Sequence, residues 1–265
     1  MYYDYRRLKS DFEGSGKTIA KSVYGRDLDI IEFGSGGILF QGGIHAREHI
    51  TSALVSYMAK VNFEYRILKN ACFFPLVNPD GVELSIYGLD RVPEEYRELC
   101  LTANGGSADF ENWKANGRAV DLNLNFDADW GKGKGNIRHI APSGYIGESP
   151  LSEPESRALV ELTENKRYKM TFSFHSKGEE LYYGYGGADY NPTLTEKVSE
   201  VLGYTAKTTI GSAGGFKDWC VLEKKIPAYT VEFGSDDLTY REQYRDQENL
   251  RKKCVDLMKL LSEYE

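Results

Sequence analysis

The sequence predicts an α/β protein, a sandwich built on a largely parallel sheet. Two observations carry this. Strand-like and helix-like segments alternate through most of the chain. Several apolar strand-like runs also end directly in polar residues, as expected where a ligand crevice lies beyond the carboxyl ends of the strands. With 265 residues, 41% of them apolar, the chain can bury about three quarters of its unfolded surface without staples. Residues 1–265 read as one domain.

Residues 28–33 and 37–41 read as two strands joined by Gly34-Ser35-Gly36. Residues 51–65 place Leu54, Val55, Met58 and Val61 at helical spacing. Residues 71–77 form a short apolar run ending in Asn78-Pro79-Asp80-Gly81, which is turn chemistry. Ser152-Glu153-Pro154-Glu155 is a capping-box pattern that opens a helix through Ala158, Leu159 and Leu162. Residues 168–174 and 228–233 read as strands, and the C-terminal stretch carries helical periodicity from Leu250 to Leu261. Two Gly-rich stretches, residues 103–116 and 129–150, show no regular pattern. Long irregular loops in a compact domain tend to be functional, so these are expected around a site.

Composition excludes several classes. Lys and Arg total 33 against 40 Asp and Glu, a net charge of −7, which argues against a general nucleic-acid binder. No stretch approaches the roughly 20 apolar residues of a membrane span. Met1-Tyr2-Tyr3-Asp4-Tyr5-Arg6-Arg7 has no apolar run after its charges, so no secretory signal is visible and a cytoplasmic location is expected. Cys72, Cys100, Cys220 and Cys254 lie far apart with no Cys-x-x-Cys, which favours reduced thiols over a Cys-based zinc site. Two disulfides outside the cell are the alternative.

The chain has four histidines, His45, His49, His139 and His175. Two sit in Gly43-Ile44-His45-Ala46-Arg47-Glu48-His49, between a strand and a helix. Three readings compete there. His45 and Glu48, three residues apart, can ligate zinc together from one turn of chain. His-x-x-Glu-His is also the inverted zincin pattern, with His45 and His49 as ligands and Glu48 as base. The third reading is a polar helix start with satisfied histidines. Elsewhere, His175-Ser176 follows a strand, facing a crevice. Glu232 lies within an apolar strand, where a bare charge is costly. Val120-Asp121-Leu122-Asn123 is a further polar-in-apolar segment, and Asp121 can orient a metal-bound imidazole by accepting its second N–H.

Together these pieces resemble the zinc metallocarboxypeptidase superfamily of the carboxypeptidase A and T type. The residues that carry the resemblance are Gly43 to His49, Asn78-Pro79-Asp80-Gly81, Val120-Asp121-Leu122-Asn123, Ser152-Glu153-Pro154-Glu155, Phe174-His175-Ser176, Gly214-Gly215-Phe216-Lys217-Asp218-Trp219 and Thr230-Val231-Glu232-Phe233-Gly234. The resemblance implies a three-layer α/β/α sandwich with a mixed, largely parallel central sheet and one Zn²⁺ per chain. It implies His45, Glu48 and His175 as ligands, with His49 a neighbour. It assigns Glu232 as general base and acid, and Arg47 as a substrate contact. A cation beside the scissile carbonyl would stabilise the developing oxyanion; Arg118, in Trp113-Lys114-Ala115-Asn116-Gly117-Arg118, is the candidate.

The chain departs from the ordinary pattern at two places. Ordinary members follow the Asn123 position with an arginine, and that pair grips the substrate's terminal carboxylate. Here Asn123 is followed by Leu124. A tyrosine usually stands four residues before the Gly-Gly pair, where this chain has Ile210. A new cation, Lys217, falls at the family's variable side-chain pocket, next to Asp218. This combination resembles the branch of γ-D-glutamyl-diamino-acid peptidases, which implies a muropeptide substrate whose diaminopimelate charges would meet Lys217 and Asp218. The expected function is zinc-dependent hydrolysis of the γ-D-glutamyl-diaminopimelate bond. The alternatives are a carboxypeptidase of altered specificity, an amidohydrolase on the same scaffold, or a zinc-binding module without catalysis; retention of Glu232 speaks against the last.

Overall fold

The computed structural model describes residues 2–265. In chain order the elements are α1 Tyr5–Asp11, β1 Lys17–Lys21, β2 Asp27–Phe33, β3 Gly37–Gln41, α2 His49–Tyr65, β4 Ala71–Phe74, α3 Pro79–Tyr87 and α4 Glu94–Ala103, then α5 Pro154–Asn165, β5 Tyr168–His175, β6 Glu180–Tyr183, α6 Pro192–Leu202, β7 Thr205–Thr208, α7 Phe216–Trp219, β8 Ala228–Glu232 and α8 Gln247–Leu261. The strands form one sheet in the order β1-β2-β4-β3-β5-β8-β6-β7. Pairing is parallel through the centre, β4–β3–β5–β8, and antiparallel at β1–β2, β2–β4 and β6–β8. β6 and β7 pair parallel at the far edge. The sheet is therefore mixed, with a parallel core whose carboxyl ends share one rim.

Successive strand residues point to opposite faces, and both faces are covered. Phe40 of β3, Phe73 of β4 and Phe172 of β5 are buried on one side with Leu54 and Met58 of α2, Val198 of α6 and Leu257 of α8. Leu39 and Phe74 are buried on the other with Leu159 of α5 and Phe216 of α7. Side chains of this size contribute about 1.5–3 kcal/mol each when fully buried. The three-layer α/β/α sandwich follows from this two-sided burial. The four cysteines are buried, free thiols, and no helix of the described residues is long and apolar enough to cross a membrane.

Two local readings are corrected. Asn78-Pro79-Asp80-Gly81 opens α3 rather than a turn: the Asn78 side chain accepts the Gly81 N–H at 2.9 Å, and Pro79 takes a first-turn position where its missing N–H costs nothing. Ser152 does not cap α5. The N-cap is Glu153, whose carboxylate reaches Asn116 at 2.7 Å and Arg118 at 3.1 Å instead of the helix N–H groups.

Candidate metal centre and active site

From β3 the chain passes through Gly42-Gly43-Ile44 to His45, and a short 3₁₀ turn, Ala46–Glu48, leads into α2. Gly43 has φ +62°, and a Cβ there would sit 2.2 Å from Ser52 Oγ, so glycine alone lets this segment lie on the first turn of α2. The Gly43 N–H donates to Thr51 Oγ1 at 2.8 Å, and Thr51 in turn donates to the Glu48 carbonyl at 2.8 Å. The tight junction brings His45 Nδ1 to 2.9 Å from Glu48 Oε1. The third group arrives on β5. His175 Nδ1 lies 3.1 Å from Glu48 Oε2 and 3.0 Å from His45 Nδ1. All three side chains are buried.

Two imidazole nitrogens turn onto one buried carboxylate, a donor set suited to a cation. One ligand atom from each residue lies within 4.8 Å of the others, and two His with one carboxylate is a catalytic zinc set. The residues therefore fit zinc. Burial alone would raise Glu48, but the two imidazoles outweigh it and hold the carboxylate well below its usual range. Asp121, fully buried, sets Oδ1 3.2 Å from His45 Nε2, on the side of the ring away from Glu48, which leaves Nδ1 for the metal. Its other oxygen lies 3.0 Å from Lys114 Nζ and accepts the Gly144 N–H. Burial would raise Asp121 too; Lys114 and His45 hold it ionised.

His49 is excluded from this group. Its Nδ1 lies 3.0 Å from the Tyr244 hydroxyl and its ring packs on Tyr2. Burial and nearby Arg241 push it down to about 3, so it is neutral and structural. The inverted zincin arrangement is not formed.

Glu232 ends β8 in register with His175 on β5. Burial above all, with the Glu48 and Glu180 carboxylates adding, pushes Glu232 up to about 7, against the opposing pull of His175 and Lys114. It borders a cavity of about 300 Å³ whose walls include Asn123, Ile210, Lys217 and Asp218. Asn123 Oδ1 accepts the Phe216 N–H at 3.1 Å, which fixes its amide at the wall. Lys217 is buried rather than at the surface, and Nζ donates to the Gly184 carbonyl and to Asp218 Oδ1, both at 2.6 Å. Burial raises Asp218, and Lys217 opposes it. The cavity is therefore lined by a buried ion pair. Gly214, at φ +86°, lies against the Leu124 carbonyl, where a Cβ would come within 2.8 Å. Arg47 stacks on the Tyr240 ring, 4.6 Å from its centroid, beside the metal set.

Arg118 lies apart from this group. Its Nε donates to Glu153 at 3.1 Å and its Nη2 to the Ser152 carbonyl at 3.3 Å, and it borders a separate cavity with Leu99 and Ile140. There it offsets a buried acidic cluster of Asp80, Glu153 and Glu155, with Arg26 bonded to Asp80 at 2.6 Å. The cation at the site is Lys114, four residues earlier in the same motif, held by Asp121 against the metal ligands. Its buried carboxylate partners, Asp121 and Glu48, raise its pKa against the effect of burial. In the sequence, only its place after Trp113 in the loop points to it.

The comparisons with known proteins agree with this geometry. The chain is 31% identical over 261 residues, 88% of its length, to γ-D-glutamyl-L-diamino acid endopeptidase 1 of Lysinibacillus sphaericus, and spans 66% of that protein. It is 33% identical over 249 residues to YqgT of Bacillus subtilis, covering 83% of this chain and 65% of that one. It thus spans just under two thirds of these relatives. In fold it matches bovine thrombin-activatable fibrinolysis inhibitor with a TM-score of 0.73 at 19% identity, over 99% and 95% of the two chains. Murein-tripeptide amidase MpaA of Escherichia coli O157 matches with a TM-score of 0.57 at 22% identity, over 91% and 93%. The zinc carboxypeptidase profile matches residues 14–249, and with the buried His45–Glu48–His175 set at its strand ends the chain belongs to the zinc carboxypeptidase family.

Proposed function

We propose that residues 1–265 act as one catalytic unit that hydrolyses the amide bond between a γ-D-glutamyl residue and a diamino acid in cell-wall peptides. The observation that carries this is the cavity running from Glu232 to the buried Lys217–Asp218 pair, with Leu124 beside Asn123. A diamino acid such as diaminopimelate ends in an ammonium and a carboxylate, and the pair presents both opposite charges. Buried ionic groups accept only ligands that satisfy them, so a neutral side chain would be penalised there. The likeness to the Lysinibacillus endopeptidase supports the same reading.

Zinc, when bound by His45, Glu48 and His175, supplies Lewis acidity toward water and carbonyl oxygen. The protein's own groups do the rest. Glu232 accepts a proton from the attacking water and returns it to the leaving nitrogen. Burial of Glu232 raises its carboxyl above the usual carboxylate range, which favours taking up that proton. Lys114 meets the charge that develops on the carbonyl oxygen. Asp121 keeps His45 in one tautomer and Lys114 in place.

The test is turnover of L-Ala-γ-D-Glu-diaminopimelate by the zinc-loaded chain, beside an N-acylated dipeptide carboxypeptidase substrate. Release of free diaminopimelate at the higher kcat/KM is expected. The reverse preference would replace this reading with a carboxypeptidase of altered specificity.

A further inference from the structure

The loop that carries Lys114 and Asp121 turns on one fully buried side chain, Asn116. Its Oδ1 accepts the Arg118 N–H at 3.0 Å and the Val120 N–H at 3.1 Å. Its Nδ2 donates to Glu153 Oε2 at 2.7 Å and to Glu155 Oε2 at 3.2 Å. A carboxamide offers two acceptor sites and two N–H donors, so all of it is engaged. We propose that Asn116 is a positioning residue for the hydrolysis: clamped to Glu153 and Glu155, it fixes the loop that sets Lys114 and Asp121 against the metal ligands. This rests on the role of Lys114 given above.

Between α4 and Asp121 the chain forms no helix or strand, so no ladder fixes its path. Ala119 takes φ +62°, a left-handed conformation that an alanine keeps only where its surroundings over-determine it. On the near side, the Lys114 carbonyl accepts the Ala46 N–H at 3.1 Å, and the Asn78 amide donates to the Ile44 and Ala115 carbonyls at 3.2 and 3.0 Å. These bonds join Lys114 to the turn that carries His45 and Glu48. On the far side, the Asn116 N–H donates to the Val120 carbonyl at 2.9 Å, and the Asn116 amide holds the loop to the start of α5. Without that side chain, the Arg118 and Val120 N–H groups and both glutamates lose a shared partner. The loop between Lys114 and Asp121 is then free to relax the strain at Ala119. The Lys114 ammonium stands on a flexible stem, so its aim depends on the backbone and on Asp121. A donor aimed at developing charge works because it is fixed beforehand, and a displacement of about 1 Å can cost about 10²-fold in rate. Asn116 does not line the cavity beside Glu232, so the loss falls on kcat and not on KM.

The test is a double-mutant cycle with Lys114, using whichever of the two substrates above the zinc-loaded chain turns over. Asn116→Ala is expected to lower kcat about tenfold or more, with KM within about twofold. In the Lys114→Met background the same substitution is expected to change kcat by less than about twofold, because the group it positions is gone. Equal losses in the two backgrounds overturn the proposal. Asn116→Ser keeps a short acceptor for the Arg118 N–H but cannot reach the glutamates, and it carries the same expectations if the alanine variant does not fold. A second readout needs no turnover: reductive methylation of the Lys114 amine, followed by mass spectrometry. Lys114 is expected to react about fivefold faster in the Asn116 variants while Lys217 is unchanged, since a lysine freed from its carboxylate partner is more accessible. Unchanged Lys114 labelling overturns the proposal even where kcat falls. If neither substrate is cut, the substrate reading fails separately and the labelling decides this inference. Wild-type kcat in Lys114→Met alone removes the oxyanion role of Lys114, and the positioning role of Asn116 falls with it.

Discussion

His175 and Glu232 are cross-strand partners on the parallel strands β5 and β8, so metal ligand and general base are set side by side by one register. A slip of one residue would turn either side chain to the opposite face of the sheet. The spacing between them is therefore a property of the sheet core, not of a mobile loop.

His175→Ala should abolish stoichiometric zinc, because a catalytic site with three protein ligands loses one. His49→Ala should leave zinc stoichiometry intact, since His49 is bonded to Tyr244. Metal content by mass spectrometry of the purified variants checks both. Retention of zinc by the His175 variant would reject the ligand set.

Glu232→Gln should keep the fold and the zinc but lose about 10²–10⁴-fold in kcat, the usual scale of general acid–base catalysis. Turnover near wild type in a zinc-replete sample would remove Glu232 from the mechanism.

Lys114→Met should lower kcat by about 10²–10³-fold, the scale of removing one oxyanion donor. Arg118→Met should instead act on stability, through the carboxylate of Glu153 that it leaves without its guanidinium. Both variants strand a buried carboxylate and lower the melting temperature, so kcat of the folded, zinc-loaded samples separates the two. A kcat loss confined to the Arg118 variant would reverse the assignment.

Lys217→Met leaves Asp218 buried without its partner, and breaking a buried pair costs about 3–5 kcal/mol. Lys217→Met combined with Asp218→Asn should recover most of that stability. The double variant should still lose about tenfold or more in preference for a diaminopimelate peptide over one with a neutral leaving residue. Unaltered preference would place recognition elsewhere.

Glu155 gives a pH signature in stability. Burial, with Asp80 and Glu153 adding, raises its pKa from 4.5 to about 8 in the folded chain. Between those values the folded chain holds a proton that the unfolded chain has released. Stability is therefore greatest below pH 4.5 with respect to this group, and falls as pH rises toward 8, by a few kcal/mol at most. Glu155→Gln should flatten the difference in melting temperature between about pH 5.5 and about pH 8.5, values that span most of this window. An identical pH slope in variant and wild type would contradict a protonated Glu155.

Much of this centre is legible in the amino-acid sequence, because the residues that carry it break a local pattern. Glu232 and His175 stand out as polar groups at the ends of apolar strands, and His45 and Glu48 share one turn. Lys114 and Arg118 are not separable on the same grounds. They lie in an irregular loop with no periodicity to say which side chain turns inward, and the deciding contact is with Glu153, distant in sequence. The edge strand β7 leaves no mark in the sequence for another reason: its residues are mostly exposed, so no apolar alternation signals it. The commitment of Lys217 to Asp218 and Gly184 is equally hidden, since Gly184 comes from a different part of the chain.

Asp121 holds His45 with one oxygen and Lys114 with the other. Losses at 45, 114 and 121 should therefore not add: once Asp121 is gone, removing Lys114 should cost much less than it does in the intact chain. The same sharing constrains how the site can change over generations. An apolar residue at 114 strands a buried carboxylate, and an apolar residue at 121 strands a buried lysine and frees the imidazole to turn. A lineage can shift these positions only in concert, so across relatives they should covary as one inherited block, while the specificity wall around Leu124 and Ile210 drifts independently of them.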